Sequence, residues 1–385
     1  MNLFRAFFNS EKASGFILIA CTIISLWVAN STWGESVTHL IHEHADLSFS
    51  GLHLDYSLEQ WINDGLMTFF FLLVGLEIER ELYIGELSHI KQAMLPLLAA
   101  LGGMAAPAAI HLLFNSGTDT QAGFGIPMAT DIAFALGILS LAGNRIPLTL
   151  KIFLTALAII DDLGAITVIA LFYTDDFKAA YFMAAMVIFI ILFIMGKLKV
   201  YGLWLYLLPG IVMWYCMLQS GIHATISGVL LAFAIPFHKD DSKNPSYKLQ
   251  HALHYPVAFI ILPVFALVNT AIIIPENALE GLLSDNSIGI IAGLIVGKFI
   301  GIMLVSWLAI KTGLAGLPQG VSWKLLSGAA LLAGIGFTMS IFITNLAFND
   351  QSVIVASKLA ILVASFTAAI AGLMVLFNNK KTMNN

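Results

Sequence analysis

The run ALAIIDDLGAITVIAL, residues 156–171, sets two adjacent carboxylates, Asp161 and Asp162, in the middle of an apolar segment. Two further charges sit comparably deep in apolar runs: Asp131 in GIPMATDIAF and Lys298 in GLIVGKFIG. A charge near the middle of a bilayer costs roughly 2.5–3.5 kcal/mol on insertion scales. A single buried ion pair, for example Asp161 with Lys298, would account for one acid and leave two carboxylates over. Ionised carboxylates, a hydroxyl such as that of Thr130 and carbonyls freed from a helix are the ligands a hard alkali cation takes. The same carboxylates cannot hold protons and a cation together, so cation binding expels protons and protons expel the cation. Successive helix residues point about 100° apart. Asp161 and Asp162 therefore face different partners, one Lys298 and the other the segment with Thr130 and Asp131, in an order that spacing leaves open. Groups this close titrate as a coupled set.

The elements that must hold these groups are membrane helices. Of the 385 residues, 59% are hydrophobic and only 11% charged, against about 25% charged in soluble proteins. A span needs roughly 20 mainly apolar residues, and about twelve candidates follow, centred near residues 22, 70, 104, 132, 160, 188, 211, 229, 262, 299, 335 and 365. The expected fold is thus an all-α polytopic membrane protein, residues 1–385 forming one integral membrane domain. The first apolar run is too long for a signal peptide and eleven more follow, so it reads as a retained helix. Cys21 and Cys216 both lie in apolar segments and give no disulfide or zinc framework.

An even number of spans puts both termini on one side. All 18 basic residues except Lys178, Lys298 and Lys358 fall at or near that face, including Arg5, Lys12, Arg145, Lys239, Lys243, Lys380 and Lys381. By the positive-inside rule this face, with both termini, is cytoplasmic. Counting about 1.5 Å per residue along each span then brings Asp131, Asp161, Asp162 and Lys298 to similar depth.

Two spans, the fourth and the eleventh, carry backbone breakers at their centres: Gly125 and Pro127 in GIPMATDIAF, Gly334 and Gly336 in GIGFTMSIFI. The segments align Gly125 with Gly334 and Asp131 with Ser340. Each belongs to a group of three spans, about 93–173 and 287–377, which start on opposite sides, the inverted-topology pattern of secondary transporters. A break frees backbone groups that lipid cannot satisfy, so both discontinuous helices must be buried or line a cavity. The charges of their half-helix ends then need partners, for which Asp131 and Lys298 have suitable signs. Between the first two spans, the alternating run DLSFSGLHLDYSL suggests a β-hairpin at about 46–58 on the outer side. The neighbouring His39, His42 and His44 read as a solvated loop.

The segments NDGLMTFFFLLVGLEIEREL from Asn63, ATDIAFALGILSL from Ala129, ALAIIDDLGAI from Ala156, SGIHATISGVLLAF from Ser220 and LLAGIGFTMSIFI from Leu331 resemble the NhaA family of sodium/proton antiporters over nearly the whole chain. Inverted repeats are a described feature of that family, so the repeat pattern is not independent support. The resemblance implies that Asp162 is the main cation and proton carboxylate, with Asp161 its partner and salt-bridged to Lys298 when the cation is absent. It implies that Thr130 and Asp131 belong to crossed, broken helices. The transported ions would be Na+ or Li+ and H+, with Asp162 and Asp161 holding the metal ion as cargo and no cofactor. Exchange would be electrogenic, cytoplasmic Na+ leaving against external protons by alternating access, in a bacterial cytoplasmic (inner) membrane. It implies pH control through Glu77, Arg80 and Glu81 at the inner end of the second span and Lys248, His251 and His254 before the ninth. Here KLQHALH carries Gln250 where the family commonly has Glu. Pairing into a homodimer would use the outer loop, residues 31–58, and the remaining partner is membrane lipid.

Other functions fit less well. An intramembrane aspartyl protease needs aspartates on facing helices and a Gly-x-Gly-Asp signature, which the chain lacks. A channel does not require a site that closes on alternate sides, and a scaffold does not require four deep charges. Neither a P-loop nor room for a nucleotide or nucleic-acid domain is present, which disfavours ATP-driven pumping. An antiporter of this fold with another cation selectivity remains the nearest alternative, because selectivity rests on cavity size and ligand number.

Overall fold

A computed structural model describes residues 11–48, 53–85, 88–143, 146–174, 177–238 and 244–378, without the side chains of 11–12 and 90–92. The chain ends and Arg5, Arg145, Lys239, Lys243, Lys380 and Lys381, used above for orientation, lie outside the described residues. In chain order the elements are α1 (Glu11–Ala29), α2 (Gly34–His42), β1 (His44–Asp46), β2 (Asp55–Ser57), α3 (Leu58–Tyr83), α4 (Ile90–Asn115), a 3₁₀ helix (Gln121–Met128) and α5 (Ile132–Leu141). There follow α6 (Leu148–Phe172), α7 (Ala179–Lys197), α8 (Trp204–Gln219), α9 (Ile226–Ala234), α10 (Pro245–Asn269), α11 (Asp285–Lys311), α12 (Trp323–Leu332), α13 (Phe337–Ala347) and α14 (Gln351–Phe377). The fold is all-α and polytopic, as composition requires.

Eight helices among the described residues are long and apolar enough to cross a membrane, and ten if the bent pairs α1/α2 and α12/α13 each count once. The expected spans near 211 and 229 are shorter: α8 has 16 residues and α9 has 9. Residues 220–225, ahead of the span expected near 229, form turns, with Gly221 at φ +82°, so His223 precedes the helix. At about 1.5 Å per residue α9 covers less than half of a hydrocarbon core. The hairpin forms with His44↔Ser57, Ala45↔Tyr56 and Asp46↔Asp55 opposite one another, two residues earlier at its start than expected. His44 Nδ1 lies 3.1 Å from Asp55 and His42 Nδ1 3.3 Å from Glu59.

The chain divides into two compact units: Met1–Ile17, Gly85–Val168 and Pro275–Asn385 form one, and Leu18–Ile84 and Ile169–Ile274 the other. In the first unit α4 runs antiparallel to α11 in backbone contact. A Cβ built on Gly301 would lie 2.0 Å from the Gly102 carbonyl oxygen, and one on Gly297 would lie 2.8 Å from Pro107 Cα. In lipid there is no hydrophobic drive between helices, so such close contact supplies the attraction. The broken span and α6 are the most buried spans, 67% of each apolar window being inside. The second unit packs α3 on α9, Gly228 against the Thr68 carbonyl, around a core of Leu72, Leu76, Tyr206, Met213 and Leu231. There α7 has only 11% of its window buried, consistent with a lipid-facing helix.

Candidate functional site

Within the first unit, both breaks in the helices are held by hydrogen bonds between them. After the 3₁₀ helix with Gly125 and Pro127 the chain is extended at Ala129–Asp131, then enters α5 with Asp131 as N-cap. Opposite, α12 ends near Ala333 and α13 starts after Gly336. Close approach explains the glycine at 334, where a Cβ would lie 2.4 Å from the Leu294 carbonyl oxygen. Asp131 Oδ1 accepts from the Phe134 N–H at 2.9 Å, while Oδ2 accepts from the Thr338 N–H at 3.1 Å and from the Thr338 hydroxyl. One carboxylate thus caps the N-termini of both half-helices, where its charge opposes two positive dipole ends.

The freed carbonyls are taken by neutral donors. Ile335 O accepts from the Asp131 N–H at 2.7 Å, Ala333 O from the Thr130 hydroxyl at 2.8 Å and Ile126 O from the Ser340 hydroxyl at 2.7 Å. The expectation that Lys298 offsets the C-terminal ends is therefore corrected: its ammonium is committed to Asp161.

Asp161 and Asp162 lie midway along α6 and both have 0% exposure, as does Lys298. Asp161 Oδ2 accepts from Lys298 Nζ and also lies 2.8 Å from Thr130 Oγ1, while Asp161 Oδ1 has no hydrogen-bond partner among the described residues. One acid thus faces both the lysine and the break, contrary to the expected division between the pair. Lys298 on α11 and Thr130 in the extended break both reach one oxygen, which the 100° spacing could not reveal. Asp162 interacts electrostatically with Lys298. Lys298 itself is the first α-helical residue after a π turn at Gly293–Gly297, and Gly293 and Gly297 abut Pro127 and Pro107. Such wide turns recur at functional sites because they redirect the residues that follow.

The arrangement suits proton–cation competition. Thr130 has one hydroxyl proton and two acceptors within reach, Asp161 Oδ2 and Ala333 O. A hydroxyl so placed can accept from a protonated Asp161 while donating to Ala333.

In the second unit, α3 meets α10 near the residues expected to respond to pH. Glu77 is hydrogen-bonded to Gln250, Glu79 accepts from Ser246 Oγ at 2.8 Å, and the Arg80 guanidinium lies 6.0 Å from the Tyr247 ring centroid. Lys248, His251 and His254 are exposed and Glu81 is half-buried; the His251 ring lies 4.9 Å from that of Tyr247, tilted by 35°. The junction is therefore carried by Gln250, Ser246 and Tyr247 as much as by the six expected charges.

Sequence reasoning missed several polar groups. Thr338 and Ser340 carry bonds across the breaks, and both are small hydroxyls in an apolar run that a search for charge passes over. Glu79 is buried, although its charged neighbours suggest a solvated collar. Asp64, in the π turn Trp61–Leu66 of α3, adjoins the buried Asn63–Asn269 pair (2.9 Å); an acid inside the quoted run NDGLMTFF was the available signal.

A family model described as Na+/H+ antiporter 1 matches residues 5–376. The chain belongs to that family. Similar curated proteins include a Na(+)/H(+) antiporter NhaA of Flavobacterium psychrophilum, 58% identical over 96% of this chain and 94% of its own length. One of Cytophaga hutchinsonii is 56% identical over 97% and 94%, and one of Yersinia enterocolitica 46% identical over 96% and 95%. The chain is thus a Na+/H+ antiporter of the NhaA type, a multi-pass protein of the bacterial inner membrane and a transporter rather than an enzyme. The antiporter requires no cofactor, and the cations it moves are cargo.

Proposed function

We propose that the antiporter exchanges cytoplasmic Na+ or Li+ for external protons at Asp162 and Asp161, with Thr130 as a further ligand and Lys298 as the internal counter-ion. The observation that carries this reading is the contact of one fully buried carboxylate oxygen of Asp161 with both Lys298 and the hydroxyl of the broken span. With the site empty of cation, Lys298 neutralises Asp161. A cation bound between Asp162, Asp161 and Thr130 takes over that role and displaces the ammonium, whose charge must then leave as a proton. Loss of that proton together with one from Asp162 gives two protons per cation, so each cycle moves one net charge. A membrane potential then contributes about 2.3 kcal/mol per 100 mV to extrusion.

Alternating access would come from movement of the segments around the crossed breaks, Gly125–Pro127 and Gly334–Gly336, which are joined through Asp131, Thr130 and Ser340. Residues 93–173 and 287–377 act as the inverted repeats, with both termini cytoplasmic. Regulation by pH acts at the α3–α10 junction through Glu77, Arg80, Glu81, Lys248, His251 and His254, altered from the family pattern because Gln250 brings an amide to Glu77. Homodimer formation uses the outer loop 31–58, in a lipid bilayer.

Dequenching of a pH-sensitive dye in everted vesicles tests the assignment. Sodium and lithium added at about pH 6.5–8.5, since bound protons must be released for a response, are expected to give a signal that Asp162→Asn abolishes. Substantial sodium-driven proton movement in that variant would overturn the site.

A further inference from the structure

The segment between the first two spans contains α2, a nine-residue helix of the second unit that transport does not use. Its predecessor α1 has 19 residues, about 28 Å of helix, which already matches a hydrocarbon core of about 30 Å. α2 therefore begins where the hydrocarbon ends, and it is bent 111° away from α1. A helix turned so far does not continue the crossing; it runs across the end of α1, close to the membrane plane. The turn is pinned to the chain that follows α10. Asn30 donates from Nδ2 to the Ile272 carbonyl and accepts at Oδ1 from the Ile274 N–H, both at 2.8 Å, and Ser25 Oγ donates to the Leu267 carbonyl.

Steps of three and four residues divide α2 into three stripes about 100° apart. Gly34, Thr38 and Ile41 form the one that faces protein, with Gly34 and Ile41 buried. Glu35, His39 and His42 form the second and are all exposed, His42 reaching Glu59 at 3.3 Å. Trp33 at the N-cap, Val37 and Leu40 form the third. Val37 is half-buried, but Trp33 is 69% exposed and Leu40 57%. The charged stripe and this apolar one point to roughly opposite sides, which is the division a helix shows when it lies between water and lipid.

We propose that α2 is a membrane-surface anchor: Trp33, Val37 and Leu40 seat in the adjacent bilayer leaflet, and Glu35, His39 and His42 stay in water. Three observations choose lipid over a second copy of the chain. The stripe follows directly on Ile23, Ile24 and Trp27, which are exposed on a spanning helix and so face lipid. Tryptophan is enriched where spans meet water, and Trp27 and Trp33 bracket that level. A stable partner interface needs roughly 20–30 residues a side, whereas the stripe has three. Pairing of two copies through residues 31–58 then falls to the hairpin. The same residues include no Lys or Arg, so burial of apolar surface holds the helix and attraction to anionic headgroups plays no part. Of this segment, read above as a solvated loop, only the histidine stripe is solvated.

The test is spin-label accessibility of the whole antiporter in vesicles of zwitterionic phosphatidylcholine. Nitroxides are placed one at a time through Glu35→Cys, Val37→Cys, His39→Cys and Leu40→Cys, with Cys21→Ala and Cys216→Ala as background. At 37 and 40 dissolved oxygen, which concentrates in lipid, should relax the label several-fold more than a water-soluble nickel chelate, and at 35 and 39 the order should reverse. A chelate that prevails at 37 and 40 means a face in water, and exclusion of both reagents there means a face covered by protein; either overturns the proposal. Shielding of 35 and 39 from the chelate also overturns it, because a helix sunk in the bilayer has no wet side. Should the cysteine-free protein fail to fold, carbene labelling of the unaltered antiporter by a lipid-dissolved diazirine reads the same stripe. Insertion at Trp33, Val37 or Leu40 is expected at a level near that of Ile23, Ile24 and Trp27, and its absence there would refute the anchor.

Discussion

Replacing Lys298 by methionine removes the ammonium and keeps much of the side-chain volume. Asp161 then keeps only the Thr130 hydroxyl, at 0% exposure and with Oδ1 already unpartnered among the described residues. Breaking a buried ion pair from one side costs about 3–5 kcal/mol, a large part of a total stability of about 5–15 kcal/mol. The stranded charge can be removed only by a proton or a cation. The deficit should therefore be largest at alkaline pH, shrink as pH falls and shrink again when sodium is added. In the double variant Asp161→Asn/Lys298→Met neither charge remains, and the asparagine Nδ2 can donate to Thr130 Oγ1 while that hydroxyl stays on Ala333 O. Most of the loss should return, with a coupling energy of about 2–3 kcal/mol. The assay is reversible unfolding of all four proteins in mixed micelles at about pH 6.5 and about pH 8.5, far enough apart for a proton-linked deficit to differ. A double variant no more stable than Lys298→Met, or a deficit equal at both pH values, would refute the reasoning that the pair is a charge pair sealed from water.

Three further outcomes follow from the geometry. Thr130→Val should raise the sodium concentration needed for half-maximal exchange and cost about 1–3 kcal/mol, because the Ala333 carbonyl loses its donor; unchanged sodium dependence in the vesicle assay would argue against Thr130 as a ligand. Gly301→Val forces a Cβ to within 2.0 Å of the Gly102 carbonyl oxygen and should lower thermal stability by more than the usual overpacking cost of about 1–3 kcal/mol, which a melting curve in detergent reads directly. Outside the membrane, the Ser352 hydroxyl and N–H hold the Asp350 carboxyl below the usual carboxylate range. A depressed value means that its cap on α14 contributes above the ordinary carboxylate pKa and is lost as pH falls through the folded one; carbon NMR of the labelled carboxyl should show that low midpoint, and an ordinary midpoint would dismiss the cap.

Much of the site was legible because a charge in an apolar run is rare and costly, so residues 131, 161, 162 and 298 announce themselves without any structure. The breaks were legible for a similar reason: a proline or a glycine pair at mid-span frees backbone groups that must be satisfied somewhere. The division of labour was not legible. Spacing on one helix separates Asp161 from Asp162 by angle, but it is the approach of α11 and of the extended stretch after the 3₁₀ helix, from elsewhere in the chain, that brings Lys298 and Thr130 to one oxygen. Nor did hydropathy foretell that residues 220–225 turn, leaving α9 with 9 residues, since small residues such as Ser220, Gly221, Ala224 and Thr225 are as common in packed membrane helices as in turns.

The sequence by itself determined the environment and its chemistry: helices in lipid, carboxylates and a lysine deep in apolar runs, and two interrupted spans. These follow from composition and local backbone rules, which act over a few residues. Only the tertiary structure decided the pairings. Asp131 caps two half-helices at once, neutral hydroxyls take the freed carbonyls, and Gln250 reaches Glu77. Each of these joins residues distant in the chain, and the choice among donors of similar strength depends on ångström-scale packing that no local pattern encodes.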